Sequence, residues 1–510
     1  MAEHPASLVK KGRDGETVPR YFQITVLLFL LLTGAVPQLL QATFNGMSGG
    51  SGFAPAVLTS LVYDLVRIAP LLVLARHPAG ILHPIIVAVV VWPLLTTLPN
   101  LIDSFGGYAG LLSGQPLKAP YFTTLGWKTD AETWSALTQY RLLQIASLIS
   151  LYTGFAIVRR DSGRRITILQ GMDSQRLRRI LVGVIIVNLF AVAVFVQTRG
   201  GLVEHVIELA YGRFRALAGL GPLLALFDIG FLALLLWICT RPQDSRHPLF
   251  LVLLPLVAAQ QFIVAGSRSA ALLVVVLTGL GWALSARRVP WRLALILLPI
   301  AFLSFGALNL IRTAGLTNTT LIEAAGDADL GTVLQRSQEE FDLRQSLSGA
   351  VPIIADGMRT TGPMFGYTYS GALFAVIPRT FWPEKPRGPG SLYAQHFLGE
   401  SVEGTAVPIG AVAEAFWNFH APGVIVLFAL YGWILRRGLE TYNRNPRNGA
   451  VIAGFVLLAT QFGVGTDELV AFQQLILTGL LLFGIIALFY PRTMAARRSS
   501  GTSARQTAVR

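Results

Sequence analysis

Twelve apolar runs recur along this chain, each close to the ~20 residues an α-helix needs to cross a bilayer. They are Tyr21–Ala42, Ala54–Ala75, Gly80–Pro99, Ala136–Val158, Arg179–Gln197, Gly219–Thr240, Leu249–Ala265, Ser269–Ala286, Trp291–Ile311, Pro408–Leu435, Gly449–Val464 and Leu469–Tyr490. In lipid the backbone must satisfy its own hydrogen bonds, which leaves helices as the structure such runs can take. The expected fold is therefore all-α, a polytopic bundle of about twelve transmembrane helices. Charge content agrees: 13% of residues are charged and 53% hydrophobic, whereas soluble domains carry about 25% charged residues. The one cysteine, Cys239, lies in an apolar run, so no intramolecular disulfide can form. No Cys/His metal spacing, dinucleotide fingerprint or P-loop occurs, and neither a metal nor a cofactor is expected.

The net charge of +14 first suggests nucleic acid. Its distribution argues otherwise, because most Lys and Arg sit in short loops and tails between apolar runs, where they set membrane orientation. With the N-terminus cytoplasmic, the inner segments collect Lys10, Arg20, Arg76, the Arg159–Arg179 cluster, Arg241, Arg246, Arg287, Arg292, Arg436–Arg447 and the C-terminal arginines. The opposite orientation inverts the bias. This gives a cytoplasmic tail over 1–20, transmembrane helices over 21–311, a large outer loop over 312–407, further transmembrane helices over 408–490 and a cytoplasmic tail over 491–510. Thr198–Ala218 mixes Arg199, Glu204, His205 and Glu208 and reads as an interfacial helix on the outer side.

The outer loop begins polar and acidic and then turns apolar and aromatic, as if folding back onto the membrane surface. Within it, Pro378-Arg379-Thr380-Phe381-Trp382-Pro383-Glu384-Lys385-Pro386 is stiffened by three prolines that forbid helix there. Arg379 and Lys385 flank Trp382. They fit an interfacial anchor, but an anchor needs no stiffened backbone, which favours a preorganised anion site. Arg268, in Gly266-Ser267-Arg268, is either a turn charge left in water or a cation fixed at the membrane face and able to fork onto a phosphate.

Glu414 and Asn418 are four residues apart on one helix face, and Pro422-Gly423 is expected to kink that helix. A carboxylate inside a span is a functional candidate by default. To act ionised, Glu414 should face a polar cavity near Arg268 or Arg379 and not lipid. Asp64 and Arg67, at i and i+3, read as a mutually neutralising structural pair. Asp228 is a weaker intramembrane candidate. His396, in the loop near Arg379, is the best placed of the outer histidines, which also include His205 and His420.

In Gly266-Ser267-Arg268, in Pro378-Arg379 with Trp382-Pro383 and Lys385-Pro386, and in Ile409-Gly410 with Glu414, Asn418, Phe419 and Gly423, the sequence resembles the bacterial oligosaccharide repeat-unit polymerases (O-antigen or exopolysaccharide polymerases, Wzy-type). The layout, with the main outer loop in the C-terminal half, is similar too. His420 stands where the resemblance leads one to expect a glycine. The resemblance implies a glycosyltransferase of the bacterial plasma (inner) membrane that joins undecaprenyl-diphosphate-linked oligosaccharide units on the outer face. It implies a flippase and a chain-length regulator as partners, besides membrane lipid.

The residue chemistry fits that expectation. Fixed arginines can stabilise a leaving diphosphate without a metal, and a carboxylate can take the acceptor's proton. Arg268, Arg379 and Glu414 are the candidate catalytic residues, with Lys385, Trp382, His396 and Asn418 as candidate substrate contacts. Tyr367, Tyr369 and Tyr393 join Trp382 as rings able to stack on sugars. Two other readings stay open. An O-antigen ligase shares the layout and would call on a loop histidine such as His396. A membrane transporter of a lipid-linked or small anionic substrate belongs to another class, and matching halves broken by Gly or Pro, its usual sign, are not found in the sequence.

Overall fold

The structure is a computed structural model and describes residues 53–74, 82–91, 130–158, 173–217, 220–266, 268–287, 347–374, 381–382, 384–399, 409–461 and 469–489, with positions 24, 25, 28, 166 and 377. Every described element is helical. In chain order these are α1 (Phe53–Val73), α2 (Pro84–Ile86, continuing as a π-helical turn over Val87–Val91), α3 (Asp130–Ile157), α4 (Ser174–Thr198), α5 (Leu202–Ala216) and α6 (Gly221–Thr240). Then follow α7 (Pro248–Ala265), α8 (Arg268–Ala286), α9 (Leu347–Pro352, continuing through Thr360), α10 (Tyr367–Leu373), α11 (Pro389–Leu398), α12 (Ala411–Arg444), α13 (Gly449–Gln461) and α14 (Leu469–Phe489). Among the described residues four helices are long and apolar enough to cross a membrane, Ala54–Val73, Trp134–Ile157, Ser174–Thr198 and Ala411–Arg444, and five shorter apolar helices accompany them. Of the expected spans, Trp291–Ile311 and all but three positions of Tyr21–Ala42 lie outside the described residues.

The packing follows from the sequence pattern. α6 is apolar on every side but for Asp228, and Phe231 through Cys239 are all buried, as expected of a helix surrounded by others. It packs against α4, α7, α8, α13 and α14. α3 and α12 meet through glycines instead: a Cβ at Gly154 would strike the backbone of Ala429, and one at Gly432 the backbone of Leu151. Small residues let two helix backbones approach this closely, the usual device of helix pairs in lipid.

The loops expected on the cytoplasmic side gather at one end of the bundle. There Asp244 accepts from Trp237 Nε1 at 2.9 Å and pairs with Arg241 at 3.0 Å and Arg178 at 3.4 Å. Tyr442 Oη donates to the Leu284 carbonyl. Asn445 Oδ1 accepts from the Ile166 N–H at 2.9 Å, and Asn448 Nδ2 donates to the Ile166 carbonyl at 3.1 Å. At another position, α5 lies against the end of α7. Leu209 packs beneath Gly266, and His205 Nε2 donates to the Ile263 carbonyl at 3.2 Å. Gly266 closes α7 in the left-handed region at φ 58, its N–H returning to Phe262, so this turn needs a glycine.

Three sequence expectations change. The region 347–399 does not simply fold back onto a surface: Ala350, Ile353 and Ile354 join the main core, and Val351 packs with Ala56, Trp134 and Leu137. Its apolar run is short, so a span-length reading overlooks it. Asp64 and Arg67 are not a closed pair: Arg67 gives its Nε to the Val89 carbonyl at 3.1 Å, and Arg141 as well as Arg67 favours the charged form of Asp64. Finally, α12 is not kinked at Pro422-Gly423. It breaks at His420, whose backbone stands at φ 58, ψ −162. Pro422 falls in the first turn of the new helical segment, where its missing N–H costs nothing.

Candidate functional site

The break in α12 produces a short helical segment, 411–419, ahead of the long one. Gly410, at φ 79, turns the chain into it, and the Glu414 N–H closes the first turn onto the Gly410 carbonyl at 3.0 Å. Glu414 and Asn418 occupy one face of this segment, and both are buried, at 4% and 0% exposure. Thr368, in the first turn of α10, joins them. Its Oγ1 donates to Glu414 Oε1 at 2.6 Å, within the range of hydrogen bonds to an ionised oxygen. Asn418 Nδ2 donates to Thr368 Oγ1 at 2.7 Å and to the Glu414 carbonyl at 2.9 Å. This orients the Asn418 amide and leaves its Oδ1 buried with no hydrogen-bond partner among the described residues.

A broken helix exposes carbonyls that nothing in its own continuation can satisfy. Here the chain before α10 supplies the donors: Met364 N–H to the Trp417 carbonyl at 3.0 Å and Phe365 N–H to the Asn418 carbonyl at 3.1 Å. Phe365 and Gly366 take positive φ, 43 and 84, to present them. Trp417 Nε1 donates to Thr361 Oγ1 at 2.8 Å, and its indole packs on Phe397 of α11. Tyr369 stacks on Phe419. The segment bearing Glu414 is thus held by contacts from α9, α10 and α11, all of them from the region read as a loop.

The proline-rich stretch reaches the same assembly. Lys385 N–H closes a turn onto the Trp382 carbonyl, and Lys385 Nζ donates to the Ile377 carbonyl at 3.1 Å. Trp382 packs edge-on to Phe374. The Pro386 carbonyl oxygen lies 3.4 Å from the point where Gly371 of α10 would carry a Cβ. α10 therefore links the proline-rich stretch to Glu414.

The expected site residues thus have distinct fates. Glu414 and Asn418 are directly joined, and Glu414 is buried in protein and does not face lipid. Trp382 and Lys385 lie on the stretch that leans on α10. His396 sits exposed on α11, beside Phe397. Arg268 opens α8, but its side chain and all of Arg379 lie outside the described residues. Tyr393 is withdrawn from sugar binding: it is 1% exposed and stacked on Phe397, and burial pushes its hydroxyl pKa up. The sequence does not point to Thr368 or Thr361, because their partners lie about fifty residues away and a lone threonine carries no pattern.

The arrangement presents a fixed carboxylate, one hydroxyl that orients it, and beside it one amide acceptor that no described residue engages. That set can accept a proton or a hydroxyl's hydrogen bond. Among the described residues no three His, Cys, Asp or Glu side chains group as metal ligands. Compared with known proteins, the chain matches no family model, no curated protein and no solved structure.

Proposed function

We propose that this chain is a multi-pass membrane glycosyltransferase that polymerises undecaprenyl-diphosphate-linked oligosaccharide units into O-antigen or exopolysaccharide on the outer face of the bacterial plasma membrane. The proposal takes about twelve spans, both termini cytoplasmic and 312–407 outside. In the reaction an acceptor hydroxyl attacks the anomeric carbon of a lipid-linked unit. The bond from that carbon to the diphosphate breaks, the diphosphate leaves with the electron pair, and the acceptor's proton passes to Glu414. Arg268 and Arg379 stabilise the diphosphate, Lys385 supports them, and Trp382, His396 and Asn418 contact the oligosaccharide.

The observation that carries this reading is the buried Glu414–Thr368–Asn418 network, held in a helix break on which the basic, proline-rich stretch leans. A carboxylate this deeply set, with a donor aimed at it and an unused acceptor next to it, is held in position at the expense of a broken helix. Glu414→Gln tests it: cells should lose polymer while single lipid-linked units accumulate and protein abundance holds. Normal polymer from that variant removes Glu414 from the chemistry.

The same break favours a second reading. Transporters use half-helices near the membrane centre to hold substrates and coupling ions, so a carrier of an anionic, lipid-linked substrate fits as well. In that case Glu414→Gln leaves lipid-linked units confined to the inner leaflet. Accumulation on the outer leaflet supports the polymerase.

A further inference from the structure

α5 is tied down along its length. His205, Leu209 and Ala216 recur at intervals of four and seven residues, so they share one helix face, and all three are buried. Arg199, which caps the end of α4, reaches across to α5 twice. Its Nη1 pairs with Glu208 Oε1 at 3.3 Å, and its Nη2 donates to the Ala216 carbonyl at 3.3 Å. The same guanidinium lies over the Phe195 ring of α4, at 5.6 Å.

The buried face of α5 meets the last turn of α7. A carbonyl can only accept, so His205 Nε2 carries the proton in its 3.2 Å hydrogen bond to Ile263. The last carbonyls of a helix run out of donors within their own helix. His205 thus caps α7 from a neighbouring helix, a task basic side chains commonly take at a C-terminus. One turn further along α5, Leu209 lies 3.4 Å from the point where Gly266 would carry a Cβ. The His205 ring also stands edge-on to Phe195 at 5.5 Å. Phe195 and Ile263 in turn pack against the cluster formed by Val192, Phe227 and Val264. The end of α7 is therefore fixed by α5 as well as by α4 and α6.

Gly266 closes α7 and Arg268 opens α8, which leaves a turn of two residues between the helices. A turn this short passes any shift in the last turn of α7 on to the backbone of Arg268. We infer that His205 is a positioning residue which, together with Leu209, fixes Arg268 where the leaving diphosphate is stabilised. The inference rests on the role proposed above for Arg268. A cation helps such a leaving group most when it is already in place as charge develops, and a misplacement of about 1 Å can cost about a hundredfold in rate. His205 acts through Arg268 and not on the substrate.

The test compares two replacements of His205 in the full-length protein, in cells without the wild-type gene, read as polymer made per molecule of folded protein. His205→Phe keeps a ring for Phe195 and removes the donor, and should lower output by about ten- to a hundredfold. His205→Gln loses the ring, but its side-chain N–H can reach the same carbonyl, and it should keep most of the output. A residue that only fills space predicts the reverse order. Amide exchange over 264–268, measured on the purified protein in detergent, should quicken in His205→Phe and stay near the wild-type rate in His205→Gln. Leu209→Ala should quicken it too and lower output, which keeps the test decisive if His205→Phe does not fold. Full output from His205→Phe or Leu209→Ala overturns the inference, as does a His205→Gln protein no better than His205→Phe. Arg268→Ala separates the two levels of argument. If it loses polymer while the α5 variants keep it, the inference alone fails. If it makes polymer normally, the role proposed for Arg268 fails and takes the inference with it.

Discussion

Ala415 and Gly423 are eight residues apart, yet the carbonyl oxygen of the first lies 3.0 Å from the point where the second would carry a Cβ. Eight residues of straight helix would separate them by about 12 Å. The chain therefore turns sharply between them, at His420, and Gly423 is the residue that lets the two arms touch. A Cβ there would also overlap Phe419 Cβ, an atom held close to the backbone. Gly423→Ala is expected to destabilise the protein by about 1–3 kcal/mol or more. Gly484→Ala, where a Cβ meets nothing, provides the control and should be neutral or slightly stabilising. Thermal unfolding of the two purified variants checks the contrast.

His420 should respond in the opposite direction. Its φ 58, ψ −162 belongs to a region that only glycine enters freely, and holding another residue there costs about 1–3 kcal/mol. His420→Gly should raise the unfolding temperature, while His420→Ala should not, because alanine keeps the Cβ that makes the conformation costly. A glycine variant less stable than the alanine variant would show that flexibility gained in the unfolded chain outweighs the strain relieved.

Thr368 has no role of its own in the proposed chemistry but orients the carboxylate that has one. Thr368→Val nearly preserves shape and deletes the 2.6 Å donor, leaving a buried carboxylate oxygen without it, at about 1–3 kcal/mol. Polymer synthesis should fall steeply. Thr368→Ser keeps the hydroxyl and should retain most of it. Equal loss in both variants would point to packing of the threonine methyl instead. Polymer length distributions and protein abundance, measured together, separate the two.

His205 is expected to make α5 sensitive to pH. Burial lowers its pKa below the usual value of 6.5, outweighing the Ile263 carbonyl and Glu208, which act to raise it, while Arg199 lowers it further. Its Nδ1 is buried without a partner among the described residues, so protonation would add a donor that none of them receives. A depressed folded-state pKa means that the unfolded chain binds the proton first. The stabilisation is therefore complete above pH 6.5 and is lost as pH falls from there through the folded value. The unfolding temperature should drop over that window, and His205→Phe should flatten the drop. An unchanged slope in the variant would assign it to other groups.

Some of this was legible in the sequence. Glu414 and Asn418 share a face because helical periodicity requires it. The limits of α7 follow from Pro248 at its first position and Gly266 past its last. The sequence places the break in α12 two residues late, because Pro422 dominates a local reading. In the folded chain the proline starts a helix, and His420, unremarkable by propensity, bears the turn. Thr368 was out of reach altogether. Its hydrogen bonds to Glu414 and Asn418 exist only once α10 is docked, and no periodicity connects residues so far apart. Region 347–373 reads as surface because its apolar run is too short to cross a bilayer, whereas a short run can equally wedge between helices.

Ile166 bears on how the protein can be handled in the laboratory. A basic stretch between two membrane helices is the natural choice for an affinity tag or a fluorescent fusion. Yet both backbone groups of Ile166 are clasped by Asn445 and Asn448, at the junction of α12 and α13. Extra sequence spliced in beside Ile166 would pull on the far end of the helix whose near end carries Glu414. A label placed there for convenience would then report on a protein it had already altered.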